Sequence, residues 1–232
     1  MKRIPLIIVF FSLYSISSAQ VQLMDTIYLH ATNSIYGIYA DVNVSSSLSV
    51  FFDMEAPNKT QRVQCEVQIN GNGLDNFIKS LEKASKKYEE WSKIVQEASS
   101  TLISKKIPVH FADKRVYFTQ DSKWYKENGV DIKAMFRVDK YGNCVLSLET
   151  DYMTSEETVA HSTTYGLYST LVGSNRWIWS GGSSRTNVVQ DKYCGGASLS
   201  FSSAEEVHVF IEKLQTISEW KKVQKKAGKK LK

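Results

Sequence analysis

Cysteine is scarce: Cys65, Cys144 and Cys194 are the only three in 232 residues. An odd count of three permits at most one intramolecular disulfide and excludes a disulfide-stapled scaffold. Two of Cys65, Cys144 and Cys194 are the candidates for that bond, and all three stand in strand or strand-edge sequence. Proline is equally sparse, at Pro5, Pro57 and Pro108. Pro57 with Asn58 marks a turn, and Pro108 ends a helical stretch. Beyond the first nineteen residues no apolar run approaches the roughly 20 residues of a membrane-spanning helix. None of His30, His110, His161 and His208 is spaced with another His, Cys or carboxylate as metal ligands are, so neither a metal site nor a cofactor is read. The chain has no Gly-x-Ser-x-Gly elbow and no phosphate loop. Asp139 to Asn143 lacks the further oxygen ligands of a calcium loop.

What is present begins at the N-terminus. Lys2 and Arg3 precede an apolar run from Ile4 to Tyr14, and Ser15, Ser17, Ser18 and Ala19 follow. This is the three-part pattern of a secretory signal peptide over residues 1–19, cut before Gln20. The run is too short for an anchor, and no basic stop-transfer cluster follows it. The expectation is a secreted or periplasmic protein. Hydrophobic content of 42% and aromatic content of 12% then describe a globular chain. Formal net charge is +5, and seven lysines crowd the last twelve residues. Lys221–Lys232 could touch an anionic surface. A solvated helix end, where lysines suit the dipole, is the preferred reading. Export argues against nucleic acid as a partner.

Residues 26 to 70 alternate as strands do, most strictly at Val63, Cys65, Val67 and Ile69. From Leu74 the period changes. Phe77, Leu81, Ala84, Tyr88, Trp91, Val95, Ala98 and Leu102 follow in steps of three and four. They predict one helix over about 74–104, roughly 45 Å long at 1.5 Å per residue. Tyr88 and Trp91 in that seam favour a helix lying across a sheet over a dimerising coiled coil. Ile132 to Val138, the turn Asp139 to Asn143 and Val145 to Glu149 form a hairpin. Residues 152–195 look irregular and glycine-broken, with a short strand at Arg176 to Trp179. Leu199 and Phe201 make the last strand. Ser203 and Glu206 then form a capping box that opens a helix over about 203–226. A weak repeat, Phe77-Ile78-x-x-Leu81 and Phe210-Ile211-x-x-Leu214, leaves open whether the two halves are related.

The fold class is therefore α+β, with antiparallel sheets packed against one long and one C-terminal helix. Residues 20–105 hold strands and the long helix. Residues 106–232 hold strands, the irregular segment and the lysine-rich tail, and the two parts are able to form one domain. The positive functional signal is aromatic. Alternation in Arg176-Trp177-Ile178-Trp179 sets both tryptophans on one face of a strand. Trp124 and Tyr125 read as a polar loop between Lys123 and Lys126. Exposed aromatics stack on sugar rings or anchor a protein partner; burial under a helix is the competing reading and the commoner fate of such residues. His161 is the one histidine with a polar loop around it. Two sequons stand at Asn43 and Asn58. The leading expectation is an exported non-catalytic binding module with a protein or glycan partner. The alternatives are a secreted hydrolase with its site in 152–195 and a structural protein that dimerises through the long helix.

Overall fold

The computed structural model describes residues 21–41, 49–55, 64–71, 73–112, 114–120, 123–127, 130–164, 168–172, 176–180 and 183–230. The expected signal peptide, the turn at Pro57 and Asn58, and both sequons lie outside them. Four strands come first: β1 (Val21–Leu29), β2 (Ser34–Asp41), β3 (Ser49–Glu55) and β4 (Gln64–Asn70). After α1 (Leu74–Ala98) come β5 (Ile103–Ile107), β6 (Lys114–Gln120), β7 (Lys123–Glu127), β8 (Ile132–Val138) and β9 (Cys144–Thr150). The rest of the chain gives β10 (Met153–Thr164), β11 (Tyr168–Val172), β12 (Arg176–Ser180), β13 (Ser183–Cys194), β14 (Ser198–Phe201) and α2 (Ala204–Lys230). The class is α+β.

Ten of the strands share one antiparallel sheet, in the order β5-β8-β9-β14-β3-β4-β6-β7, with the β1–β2 hairpin branching from β3. One edge of β3 is divided between two neighbours. β2 pairs with it at Ile38↔Phe52, Tyr39↔Phe51 and Ala40↔Val50, and β14 at Ser198↔Glu55. The boundary expected at 105/106 falls inside β5, and both parts of the chain contribute to this one sheet.

Period-two alternation explains which face is covered. Val50, Phe52, Met54, Cys65, Val67, Ile69, Val116 and Phe118 are all buried, and they alternate with less buried and mostly polar residues such as Asp53, Glu66, Gln68 and Tyr117 on the opposite face. The helices lie on the apolar side. Phe77 of α1 and Phe210 of α2 both close on Phe52, with ring centroids 5.8 and 5.3 Å away. The matching Phe-Ile-x-x-Leu pieces thus meet at a single ring. Tyr88 and Trp91 pack on Phe136 of β8, at 5.9 and 5.6 Å. The apolar seam of α1 is spent inside the chain, against its own sheet.

Three expectations change. α1 stops at Ala98, not near 104. Ser99 takes a left-handed conformation with φ 49°, and Ser100 donates its N–H to the Val95 carbonyl, which closes the helix end. Leu102 keeps the apolar phase of the seam but is 76% exposed, and Ile103 onward pairs with β8. α2 runs further than expected, through Lys230, because Lys, Gln and Ala are all good helix formers. The described residues of 152–195 are not irregular. They form a two-stranded ribbon, β10 with β13, twelve residues a side, and a separate hairpin, β11 with β12.

The ribbon is tied to the sheet at its base. Thr150 donates its N–H to the Ala197 carbonyl at 2.9 Å, and Ala197 donates its N–H to the Thr150 hydroxyl at 2.7 Å. Gly196 beside them has φ 93°, and a Cβ there would lie 2.9 Å from the Thr150 carbonyl oxygen, so this exit needs glycine. Further contacts come from the β6–β7 edge: Thr154 N–H donates to Glu127 and Tyr193 N–H to Gln120.

Candidate functional site

The residues singled out in the sequence fall in three places. Arg176, Trp177 and Trp179 lie on β12, opposite Val172, Leu171 and Ser169. His161 lies on β10, opposite Thr186. Trp124 and Tyr125 are not in a loop; they occupy β7, opposite Thr119 and Phe118. A strand sends neighbouring side chains to opposite faces. Tyr125 is therefore buried, its ring stacked on Phe118 with centroids 5.6 Å apart, while Trp124 remains 39% exposed. The expected exposed pair is split, and Tyr125 belongs to the core. Of the cysteines, Cys65 and Cys194 meet, and Cys144 stands apart at the start of β9.

Two arrangements emerge that no local sequence pattern announces. The first lies on the sheet face away from the helices. Asp53 of β3 and Glu66 of β4 are directly opposite in register. Asp53 accepts hydrogen bonds from Gly37 N–H at 2.9 Å and Tyr39 hydroxyl at 3.3 Å. The Tyr39 ring folds back over Gly37, where any Cβ would collide with it. Burial, and then the Asp53 charge, push the Glu66 carboxyl up to about 7. Asp53 is also raised by burial, against the pull of its two donors. Burial and the neighbouring carboxylates push the Tyr39 hydroxyl up to about 12. The pair can hold one proton near neutral pH, because two close carboxylates resist ionising together. Among the described residues no trio of His, Cys, Asp or Glu is placed to hold a metal ion.

This pair sets a pH dependence. Glu66 binds its proton more tightly in the fold than in the unfolded chain, whose value is near 4.5. Stability should therefore fall as pH rises from the ordinary glutamate range through about 7. Glu66→Gln removes that penalty. The variant is expected to be more stable than the parent by on the order of 2 kcal/mol at about pH 8, and to converge with it near pH 4. Thermal melts across that range check both limbs.

The second arrangement is a cleft of about 730 Å³ between the C-terminal half of α1, the β8–β9 turn and the start of α2. Tyr88, Lys93, Gln96, Asn143, Cys144 and Ser203 line it. The Tyr88 hydroxyl reaches the Cys144 and Ser202 carbonyls, each at 3.1 Å, and so fixes one wall. The Asp139 carboxylate takes the Tyr141 and Asn143 N–H groups, which explains the tight turn without any ion. Beside the cleft Glu206 closes α2. It accepts from Ser202 N–H and hydroxyl, at 2.6 and 3.0 Å, and from His30 N–H and ring, at 2.8 and 2.6 Å. The expected capping box is half formed: Glu206 N–H does reach the Ser203 hydroxyl, but the glutamate side chain turns to Ser202 and His30.

Set against family models, curated proteins and solved structures, the chain matches none of them. No helix among the described residues is long and apolar enough to cross a membrane.

Proposed function

We propose that the chain is an exported, non-catalytic binding module of the cell envelope or extracellular space. Its recognition element is the β10–β13 ribbon with the β11–β12 hairpin between those strands. The observation that supports the reading is the separation of these four strands from the ten-stranded sheet. A two-stranded hairpin alone is marginally stable in water, so a long one kept outside the main sheet calls for a purpose other than packing. Its open edges can add a strand from a protein, and aromatic residues on it can stack on sugars. Arg176, Trp177 and Trp179 sit on its β12. The amino-terminal pattern of residues 1–19 supplies the export part of the reading.

The test is titration of residues 20–232 against an array of hexose and N-acetylhexosamine oligosaccharides, with a Trp177→Ala, Trp179→Ala double variant alongside. The variant is expected to melt within about 2 °C of the parent and to bind at least roughly tenfold more weakly. A fall in melting temperature of about 5 °C or more would assign the tryptophans to packing and sink the recognition element. An array with no binder leaves protein as the partner class.

A further inference from the structure

We propose that Cys65 and Cys194 form an oxidative modification site, a disulfide that fastens the base of the ribbon to the middle of the ten-stranded sheet. Their sulfurs are 3.6 Å apart. Cys65 lies on β4, between Met54 of β3 and Phe118 of β6, and Cys194 ends β13 opposite Met153. Both side chains are buried, so the contact belongs to the core and not to mobile surface groups. Bringing the sulfurs to a bond of about 2.05 Å takes a movement of under about 2 Å, within reach of small side-chain rotations.

Cys144 can replace neither residue. The strand order β9-β14-β3-β4 puts three inter-strand spacings of about 4.8 Å between its strand and that of Cys65, roughly 14 Å in all. A disulfide needs Cα atoms within about 7 Å. Its own sulfur faces the Gly142 carbonyl. The odd cysteine is thereby identified as Cys144.

In the folded state the two thiols are held unlike. The hydrogen bond to Cys194 and burial push the Cys65 thiol up. The same hydrogen bond from Cys65 pulls Cys194 down. That contact exists only once the base has seated; before then either thiol can open the exchange, Cys194 among them. With a small disulfide such as oxidised glutathione, the Cys194 thiolate attacks one sulfur, forms a mixed disulfide and releases one glutathione thiolate. That thiolate takes the Cys65 proton. The Cys65 sulfur then attacks the Cys194 sulfur and expels the second glutathione as thiolate, which picks up a proton from water. Two protein thiols and one external disulfide become one protein disulfide and two external thiols. Burial of both sulfurs places this exchange before the ribbon base has seated, that is, during folding. The bond joins residues 129 apart in sequence, so it removes much of the freedom of the unfolded chain. It concerns how the ribbon is attached, and stands whichever partner the ribbon takes.

The experiment uses the full chain, unfolded in urea and refolded in a mixture of reduced and oxidised glutathione. Free thiols are capped with iodoacetamide, and the unreduced protein is digested and mapped by mass spectrometry. The expected map has one linked peptide pair, Cys65 with Cys194, and one capped residue, Cys144. The oxidised protein is expected to melt about 10 °C above the same sample after reduction. Cys144→Ser keeps the link, and Cys194→Ala loses it. Three capped cysteines, or a link through Cys144, would overturn the proposal. The parent map decides the matter even where a variant does not refold.

Discussion

Replacing Phe210 by alanine is expected to cost about 3 to 5 kcal/mol of folding stability, the usual range for deleting a buried phenyl ring. The position justifies that range. Phe210 has no exposed surface, and its ring meets Phe52 of β3 edge-on at 5.3 Å and Phe201 of β14 at 5.6 Å. Removing it opens a cavity where the second helix, the central strand and the last strand meet. Phe77 already holds the other side of Phe52, so collapse into the gap is limited. Total stability of a domain is only about 5 to 15 kcal/mol, so a fifth or more of it rests on this ring. Urea unfolding followed by tryptophan fluorescence checks the figure, with the midpoint lowered and the slope unchanged. Phe210→Leu keeps most of the volume and is expected to cost about 1 to 2 kcal/mol. A loss below about 1 kcal/mol for alanine would mean that α2 is not seated on the sheet as described.

Glu206→Ala is expected to cost about 3 kcal/mol, through a different mechanism. Glu206 is 8% exposed and accepts from four donors on two segments, the β1–β2 turn and the chain entering α2. Alanine leaves the Ser202 and His30 N–H groups without their acceptor at a part-buried site, and it loses an acidic residue from the first turn of the helix. Glu206→Gln keeps the shape but not the charge and should fall between parent and alanine. The pH dependence runs opposite to that of Glu66. Burial acts to raise the Glu206 carboxyl, but the hydrogen bonds from His30 and Ser202 outweigh it and hold the group below the ordinary range. Its stabilisation is therefore present above the unfolded glutamate value and is lost as pH falls through the lower folded one. Acid unfolding midpoints separate the two carboxylates: Glu206→Ala narrows the gap between neutral and acid stability, and Glu66→Gln changes the neutral side.

The parts of the fold that were legible are those with one buried face. Cys65 to Ile69 and Ile132 to Val138 alternate because each strand turns one face to the buried core and the other away from it. β7 resembles a loop in sequence because its five residues carry one buried side chain, Tyr125, among lysines. The β10–β13 ribbon is hard to read in the sequence because Ser, Thr, Asn and charged residues occupy both phases of its strands and leave no period. The seam of α1 overran its end because Leu102 continues the phase by chance and then faces water. At the candidate sites the limit was distance along the chain. Nothing local to Asp53 or Glu66 says that they will stand opposite each other; the register of the β3–β4 pairing decides it. Likewise His30 gave no sign of Glu206, nor Cys65 of Cys194. Ser203 and Glu206 were legible as a helix start because a capping box is a local device. The Glu206 link to His30 is not local.

The place of β14 in the sheet fixes the order in which the molecule can be completed. This four-residue strand lies along β9 on one side and reaches β3 on the other, so among the described residues it alone links β5, β8 and β9 to β3, β4, β6 and β7 within the sheet. It also follows β3 and β9 in the chain. Until Phe201 has been made, β9 lacks its partner along one edge and β3 lacks one at Glu55, and open edges are where chains stick to one another. A protein assembled this way cannot finish its framework piecemeal during synthesis. The sheet closes only once β14 is in place.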